Sequence, residues 1–457
     1  MWSRLVVKST PVQQLILLDN QIREEVGQYV NEAAGWFFHC VTPEDDCEEN
    51  PMHYVCIGHE KDDRWVFLVR LAILPRKNSD SNNDSDSTPA PAFVPVMPEI
   101  IKDPDNELFM ELDQLALTEL DLSGNQIGDI GAQYIGNALR HNKTLLSLNL
   151  INTGIEEAGI QHLADALRDN ETLNTLYLDE NQIGTTGTQY IAEALKLLMI
   201  GLRANEIGPI GIQYLVEGLR NNKTLIVLSL GKNKIGDTGM QHFTDLLREN
   251  ETLTMLNFDN NQIGDIGAQY LANGLIGNKS ITQLNLKNNQ IGNLGSEYLA
   301  AALRNHTKLT ELTLLENQIG DIGLQYLADA LRNNTTLKKL NISRNHISNV
   351  GAQYLADALR SNETLTSLNL NENQIEDTGL QFIAETLRDN KMLSMLYLGG
   401  NQIGDFGIEH LAYALRYNMA LTTLYLDRNK IGLDGARHLA DALRRNQVIF
   451  TCFLFSL

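Results

Sequence analysis

LTELDLSGNQIGDIGAQYIGNALRHNKT, Leu117 to Thr144, is the stretch whose reading decides how this chain folds. The same text recurs, with drift, to the C-terminus. Aligned on the asparagine of NQIG, the copies are anchored at Asn125, Thr153, Asn181, Asn205, Asn233, Asn261, Asn289, Asn317, Asn345, Asn373, Asn401 and Asn429. Successive anchors stand 28 residues apart, except Asn181 and Asn205, which stand 24 apart. Twelve copies in register are one supersecondary unit repeated. Such a unit buries its apolar face only by stacking on its neighbours.

Each column of the repeat has a physical task. In the first copy Leu117, Leu120 and Leu122 fit a short strand, with Leu120 and Leu122 pointing inward. So short a strand needs partners, which predicts a parallel sheet built from successive copies. The anchor asparagine follows where the chain turns. Its amide can bond backbone groups that a buried turn leaves unpaired, and stacked copies then predict a ladder. Thr153 offers a hydroxyl for part of that task. Isoleucine stands two residues after every anchor, Ile127 through Ile431, as the next core layer. Six residues after the anchor every copy carries glycine, Gly131 through Gly435. This predicts a close backbone approach or a special dihedral where a helix begins. The helix runs through GAQYIGNALR, with Gly131, Ile135, Ala138 and Leu139 on one buried face. Arg140 near its end suits the helix dipole. An acidic residue three positions before that arginine, as in Asp165 with Arg168 and Asp357 with Arg360, predicts exposed ion pairs. A polar turn closes the unit, which reads strand, turn, helix, turn.

The chain has 457 residues, enough for several domains, but the repeat makes a single solenoid of most of it. The net charge of −21 divides into −12 over residues 1–116 and −9 over the rest. That balance argues against a general attraction to nucleic acid or to an anionic membrane. Of Cys40, Cys47, Cys56 and Cys452, only the last lies in repeat territory, so no disulfide framework staples the stack. MWSRLVVKST lacks the apolar core of a signal peptide, and no run of 18 apolar residues occurs, so a cytoplasmic location is expected. Asn-x-Ser/Thr sequons at Asn142, Asn170, Asn222, Asn250 and Asn362 all fall at the helix-to-strand turn and read as a polar turn.

In chain order, residues 1–35 read as a divergent repeat-like segment. VQQLILLDNQIREEVGQYVNEAA (12–34) aligns on Asn20, with Val26 in the glycine column. Residues 36–74 are expected to form a small β-rich insertion, with strands near 36–42, 54–58 and 65–74. Residues 75–107 are rich in Ser, Asn and Asp, hold six of the ten prolines, and are expected as a disordered linker. The solenoid is placed at 108–457, with 108–116 as a short capping segment. The four residues missing around 194–201 require a helix that ends early or a tighter turn. Ile449, Cys452 and Leu454 fit the strand slots of a truncated thirteenth copy, and no polar cap follows. That edge is open to self-association.

The LxLxxNxIGxxGxxxLAxAL pattern resembles the ribonuclease-inhibitor-like class of leucine-rich repeats. Its copies are most similar to the arrays of NOD-like receptors. The resemblance covers 117–457 and, weakly, 12–34. It implies an α/β solenoid, a horseshoe with a parallel sheet on the concave face and helices on the convex face. It also implies a scaffold that holds protein partners in regulatory or innate-immune-like roles. The sequence departs from both relatives. The cysteines of ribonuclease inhibitor and the nucleotide-binding domain of the receptors are absent. GLIGNKS at 274–280 misplaces the second glycine of a phosphate-binding loop. Ran GTPase-activating proteins share the repeat class, which implies an alternative: a GTPase-activating-type regulator of a small GTPase. Their acidic tail is absent.

Other constellations have plain explanations. Nine residues after each anchor stands Tyr, His or Phe, from Tyr134 to His438. Packing between neighbouring helices accounts for this column, and His410 with His438 lacks a third ligand. His39, Cys40, Cys47, His53, Cys56 and His59 crowd into 21 residues, but no C-x2–4-C pair occurs. No zinc or other cofactor is expected. The acidic residues fall in columns that make them solvated helix positions, so no enzyme activity is expected.

Function belongs on the concave face. Its slots are the non-leucines of the strand text, from Glu119, Asp121 and Ser123 to Thr423, Tyr425 and Asp427. These slots vary while the core columns do not, as a recognition surface on a fixed scaffold requires. Tyr397 and Tyr425 share one slot in adjacent copies, with Met395 beside them. Exposed aromatic and methionine side chains are typical interface anchors. The expected site for a protein partner is therefore Glu311, Lys339, Met395, Tyr397 and Tyr425.

Overall fold

The computed structural model describes residues 3–5, 36–41, 53–59, 65–71, 117–446, 448 and 451–453. Thirteen strands of three residues each, from Glu119–Asp121 to Thr451–Phe453, form one sheet in chain order. Neighbours are parallel and in register, leucine beside leucine, as in Leu284 with Leu312 and Leu312 with Leu340. Twelve α-helices, from Gly128–His141 to Leu433–Leu443, alternate with the strands. The sheet lines the concave face and the helices the convex one. Strands stack about 5 Å apart while packed helices need about 8–10 Å, so the stack must bend toward the sheet.

Between the two layers the leucine and isoleucine columns make a continuous core. Leu256, Phe258 and Ile263 of one copy are fully buried. The buried helix face is wider than the sequence reading had it. Ala132 and Gly136 are buried besides Ala138 and Leu139, and Gly131 and Ile135 are only half-buried in this first copy.

Three ladders satisfy the backbone between copies. The first is the anchor column. Asn317 Nδ2 donates to the carbonyls of Leu286 at 2.9 Å and Leu314 at 3.1 Å, and its Oδ1 accepts from Ile291 N at 3.1 Å. Thr153 does part of this, with its hydroxyl donating to the Leu150 carbonyl at 2.8 Å. The second ladder runs through the helix-to-strand turns. Asn170 Nδ2 donates to Leu139 O at 2.6 Å and Asn142 O at 3.0 Å, while its Oδ1 accepts from Thr172 N and Leu173 N. Asn142, Asn170, Asn222, Asn250 and Asn362 are all at most 8% exposed, so these amides hold the turn and do not present glycan acceptors.

The third ladder caps helices in trans. Asp237 Oδ1 accepts from Gly264 N at 2.7 Å and Gly267 N at 2.9 Å, at the start of the next copy's helix. Asp265 and Asp321 repeat the arrangement. A carboxylate here meets the positive end of the helix and its unpaired N–H groups. It also resolves the glycine column. A Cβ on Gly267 would stand 2.5 Å from Asp237 Oδ1, so close approach is the requirement there. The special dihedral belongs to an earlier glycine, as at Gly128 with φ 60° and Gly184 with φ 63°.

The short copy resolves as an early helix end. Its helix Gly184–Ala194 stops short of a turn asparagine, and Met199–Gly201 still pairs in register, Leu176 with Ile200. At the C-terminal end Thr451–Phe453 pairs with Thr423–Tyr425, Cys452 opposite Leu424, as the truncated copy requires.

A second sheet joins Ser3–Leu5, Trp36–Val41, His53–His59 and Trp65–Leu71, antiparallel and in that order. Its first strand comes from the segment read as repeat-like. The alignment of 12–34, the linker 75–107 and the cap 108–116 lie outside the described residues. The division of the chain at 1–35, 36–74, 75–107 and 108–457 is a proposal.

One full-length copy breaks the second ladder. His306 stands where the other full-length copies carry asparagine. Its Nδ1 accepts from Lys308 N at 3.2 Å and Leu309 N at 3.0 Å, which puts the proton on Nε2. Nε2 is buried without a hydrogen-bond partner, beside a small cavity lined by Leu275, Leu299 and Leu303. Burial holds the imidazole below its ordinary value of 6.5. The unfolded chain therefore takes up this proton first as pH falls below about 6.5, and stability declines from there downward while remaining full above it. His306→Asn should raise stability by about 1 kcal/mol, because asparagine can reach the Leu275 carbonyl as its neighbours reach theirs. It should also flatten the decline below neutral pH. Urea melts at pH 7 and pH 5 check both effects, and an unchanged pH dependence would remove His306 as its source.

Candidate functional site

Register alone sets the geometry of the expected site. Glu311, Lys339, Ser367, Met395 and Thr423 are neighbours in one row across five strands. Tyr397 and Tyr425 are neighbours in the next row. Their rings stack with centroids 4.7 Å apart and planes 13° from parallel. That is one inter-strand spacing, and the backbone fixes it before any partner arrives. The Tyr397 hydroxyl donates to Met395 Sδ at 3.8 Å. Glu311 and Lys339 pair with each other at 3.1 Å, with side chains 35% and 56% exposed. An exposed pair of this kind adds little to stability. The five residues thus fall into two groups, a tyrosine–methionine cluster and an ion pair, with Ser367 between them.

Not every slot read as exposed is so. Asp259 is 6% exposed and Ser343 4%. Arg203 reaches across Gly231 to Asp259, Nη2 to Oδ2 at 3.3 Å, while its backbone N–H donates to Asp179 Oδ1 at 2.8 Å. Burial pushes the Asp179 carboxyl above its ordinary range, against the lowering effect of that hydrogen bond. Arg203 thus joins Asp179 through its backbone and Asp259 through its side chain, from the third copy to the sixth, and the sequence reading did not single it out. A signal was present. Each glycine in a concave slot has an aspartate on an adjacent strand: Gly201 with Asp179, Gly231 with Asp259, Gly399 with Asp427. The missing side chain makes room for the carboxylate to fold down. Asp427 is set in this way beside the stacked tyrosines.

In the aromatic column on the helices Tyr190, Tyr270, Tyr298, Tyr326 and Tyr354 pack against the core as expected, whereas His410 is exposed. Among the described residues no group of three or more His, Cys, Asp or Glu could hold a metal ion. The Cys/His cluster at 39–59 falls partly outside those residues. No helix among them is long and apolar enough to cross a membrane.

Such a stack, with an inward parallel sheet and asparagine ladders, is the architecture of leucine-rich repeats, and comparison with known proteins agrees. The family model for the leucine-rich repeat matches residues 116–136, 169–192, 221–243, 249–272, 277–300, 305–328, 333–356, 361–384 and 417–440. The repeats of this chain are leucine-rich repeats. Among solved structures it is similar to an internalin from Listeria monocytogenes, at 21% identity and a TM-score of 0.43, over 76% of this chain and 89% of that one. It is also similar to the leiomodin-1 actin-binding site 2, at 25% identity and a TM-score of 0.22, over 27% of this chain and 70% of that one. No curated protein matches it.

Proposed function

We propose that this chain is a non-enzymatic scaffold that holds a protein partner on the concave strands of its C-terminal copies. Glu311, Lys339, Met395, Tyr397 and Tyr425 form the contact. The observation that carries the reading is the stacked tyrosine pair. Two large rings, ordered in advance by the register, offer contact area with little side-chain entropy left to lose. The surface is an open parallel sheet, which suits a macromolecule better than a small substrate. A partner recovered by proximity labelling in cells, the cytoplasm being the proposed location, should shield Met395, Tyr397 and Tyr425 from hydroxyl-radical oxidation in the purified complex. Undiminished oxidation of all three would place the contact elsewhere.

A further inference from the structure

Where the helices end, the eleventh copy departs from the text of the others. Twelve residues after the anchor, eight of the other eleven copies carry Asp or Glu, two carry Asn and one Ala. In five of these copies the acid pairs with the arginine three residues on: Arg168, Arg248, Arg332, Arg360 and Arg444. The eleventh copy has Tyr413 there instead. The next two rim positions, polar, charged or glycine in the other full-length copies, are Tyr417 and Met419. These three side chains are 51%, 58% and 70% exposed, and the two rings meet edge to face at 5.4 Å. The change strips Arg416 of the acid its column supplies. Its guanidinium makes no ion pair among the described residues, and its Nε is buried without a hydrogen-bond partner. The turns stack through Asn418 on Asn390 and Asn446 on Asn418, so Lys391 and Arg445 flank the patch, both exposed and without an ion pair among the described residues.

We infer that Tyr413, Tyr417, Met419 and Arg416 form a second docking surface, on the outer rim and independent of the concave site. It takes a protein segment in which an apolar side chain is flanked by aspartate or glutamate. The rings and the thioether accept the apolar group. Arg416, Lys391 and Arg445 leave a local excess of positive charge on a chain of net charge −21, and only an acidic segment complements it. A basic segment would meet three unpaired cations.

The repeat supplies its own control. Tyr413→Asp, Tyr417→Asp and Met419→Lys together write the text of neighbouring copies into the eleventh, restoring a carboxylate to Arg416. This variant should melt no lower than the unchanged chain. Fluorescent peptides with a central Phe-Leu flanked by glutamates should bind the full chain at least about tenfold more tightly than the same peptides with lysine flanks or with Ser-Ser at the centre. The triple variant should lose that binding at least about tenfold, while Tyr397→Ala with Tyr425→Ala leaves it unchanged. Glutamate peptides that bind no better than lysine peptides, or not at all, overturn the proposal. So does a triple variant that binds as well as the unchanged chain. A dimer in sedimentation that the triple variant dissolves would assign the patch to a second copy of this chain and overturn it equally.

Discussion

Asn317→Ala should lower the stability of the repeat array by about 1–3 kcal/mol in urea unfolding. The substitution removes no apolar contact of consequence. What it removes is the acceptor for the buried N–H of Ile291 and one of two amide donors to each of the Leu286 and Leu314 carbonyls, which keep Asn289 Nδ2 and Asn345 Nδ2. Asn317 is 4% exposed, so water does not replace it freely. The unpaired N–H costs on the order of 1–3 kcal/mol, and the carbonyls each lose one of two hydrogen bonds. Threonine at 317 should lose less, because Thr153 shows a hydroxyl taking up one of these bonds in the second copy. Energy in a solenoid passes between nearest neighbours, so hydrogen exchange should quicken first in the copies on either side of 317. Stability within about 0.5 kcal/mol of the unchanged chain would show that the ladder does not hold the stack.

Tyr397→Ala with Tyr425→Ala should weaken partner binding by at least about 2 kcal/mol and leave the melting temperature nearly unchanged. The asymmetry is the point of the test. Both side chains stand on the solvent side of the sheet, half-buried and outside the apolar core, so their loss opens no cavity in it. Their value to a partner lies in two rings already stacked at 4.7 Å. A matched change at Ser147 and Thr175, on the concave strands of early copies, should do little. Equal losses from both pairs, or none from the tyrosines, would move the contact off the C-terminal strands.

Almost everything periodic was legible in the sequence. The solenoid, the sheet register, the anchor ladder and the buried isoleucine column follow from text repeated at 28 residues, because a one-residue slip would expose every leucine at once. The 4.7 Å tyrosine stack follows from the same register. The sequence by itself could not say which partner a polar residue takes in the next copy. Asp237 reads as a solvated helix position and turns out to cap a helix 27 residues on. Asn170 reads as a turn residue and turns out to hold the turn before it as well as its own. Asp259 reads as exposed and lies under Arg203, over a glycine. The physical reason is common to all of these. Hydrophobic burial depends on a residue's own position in the repeat, which periodicity reveals. A hydrogen bond depends on direction and on what the neighbouring copy offers within about 3 Å, and only the stacked structure decides that.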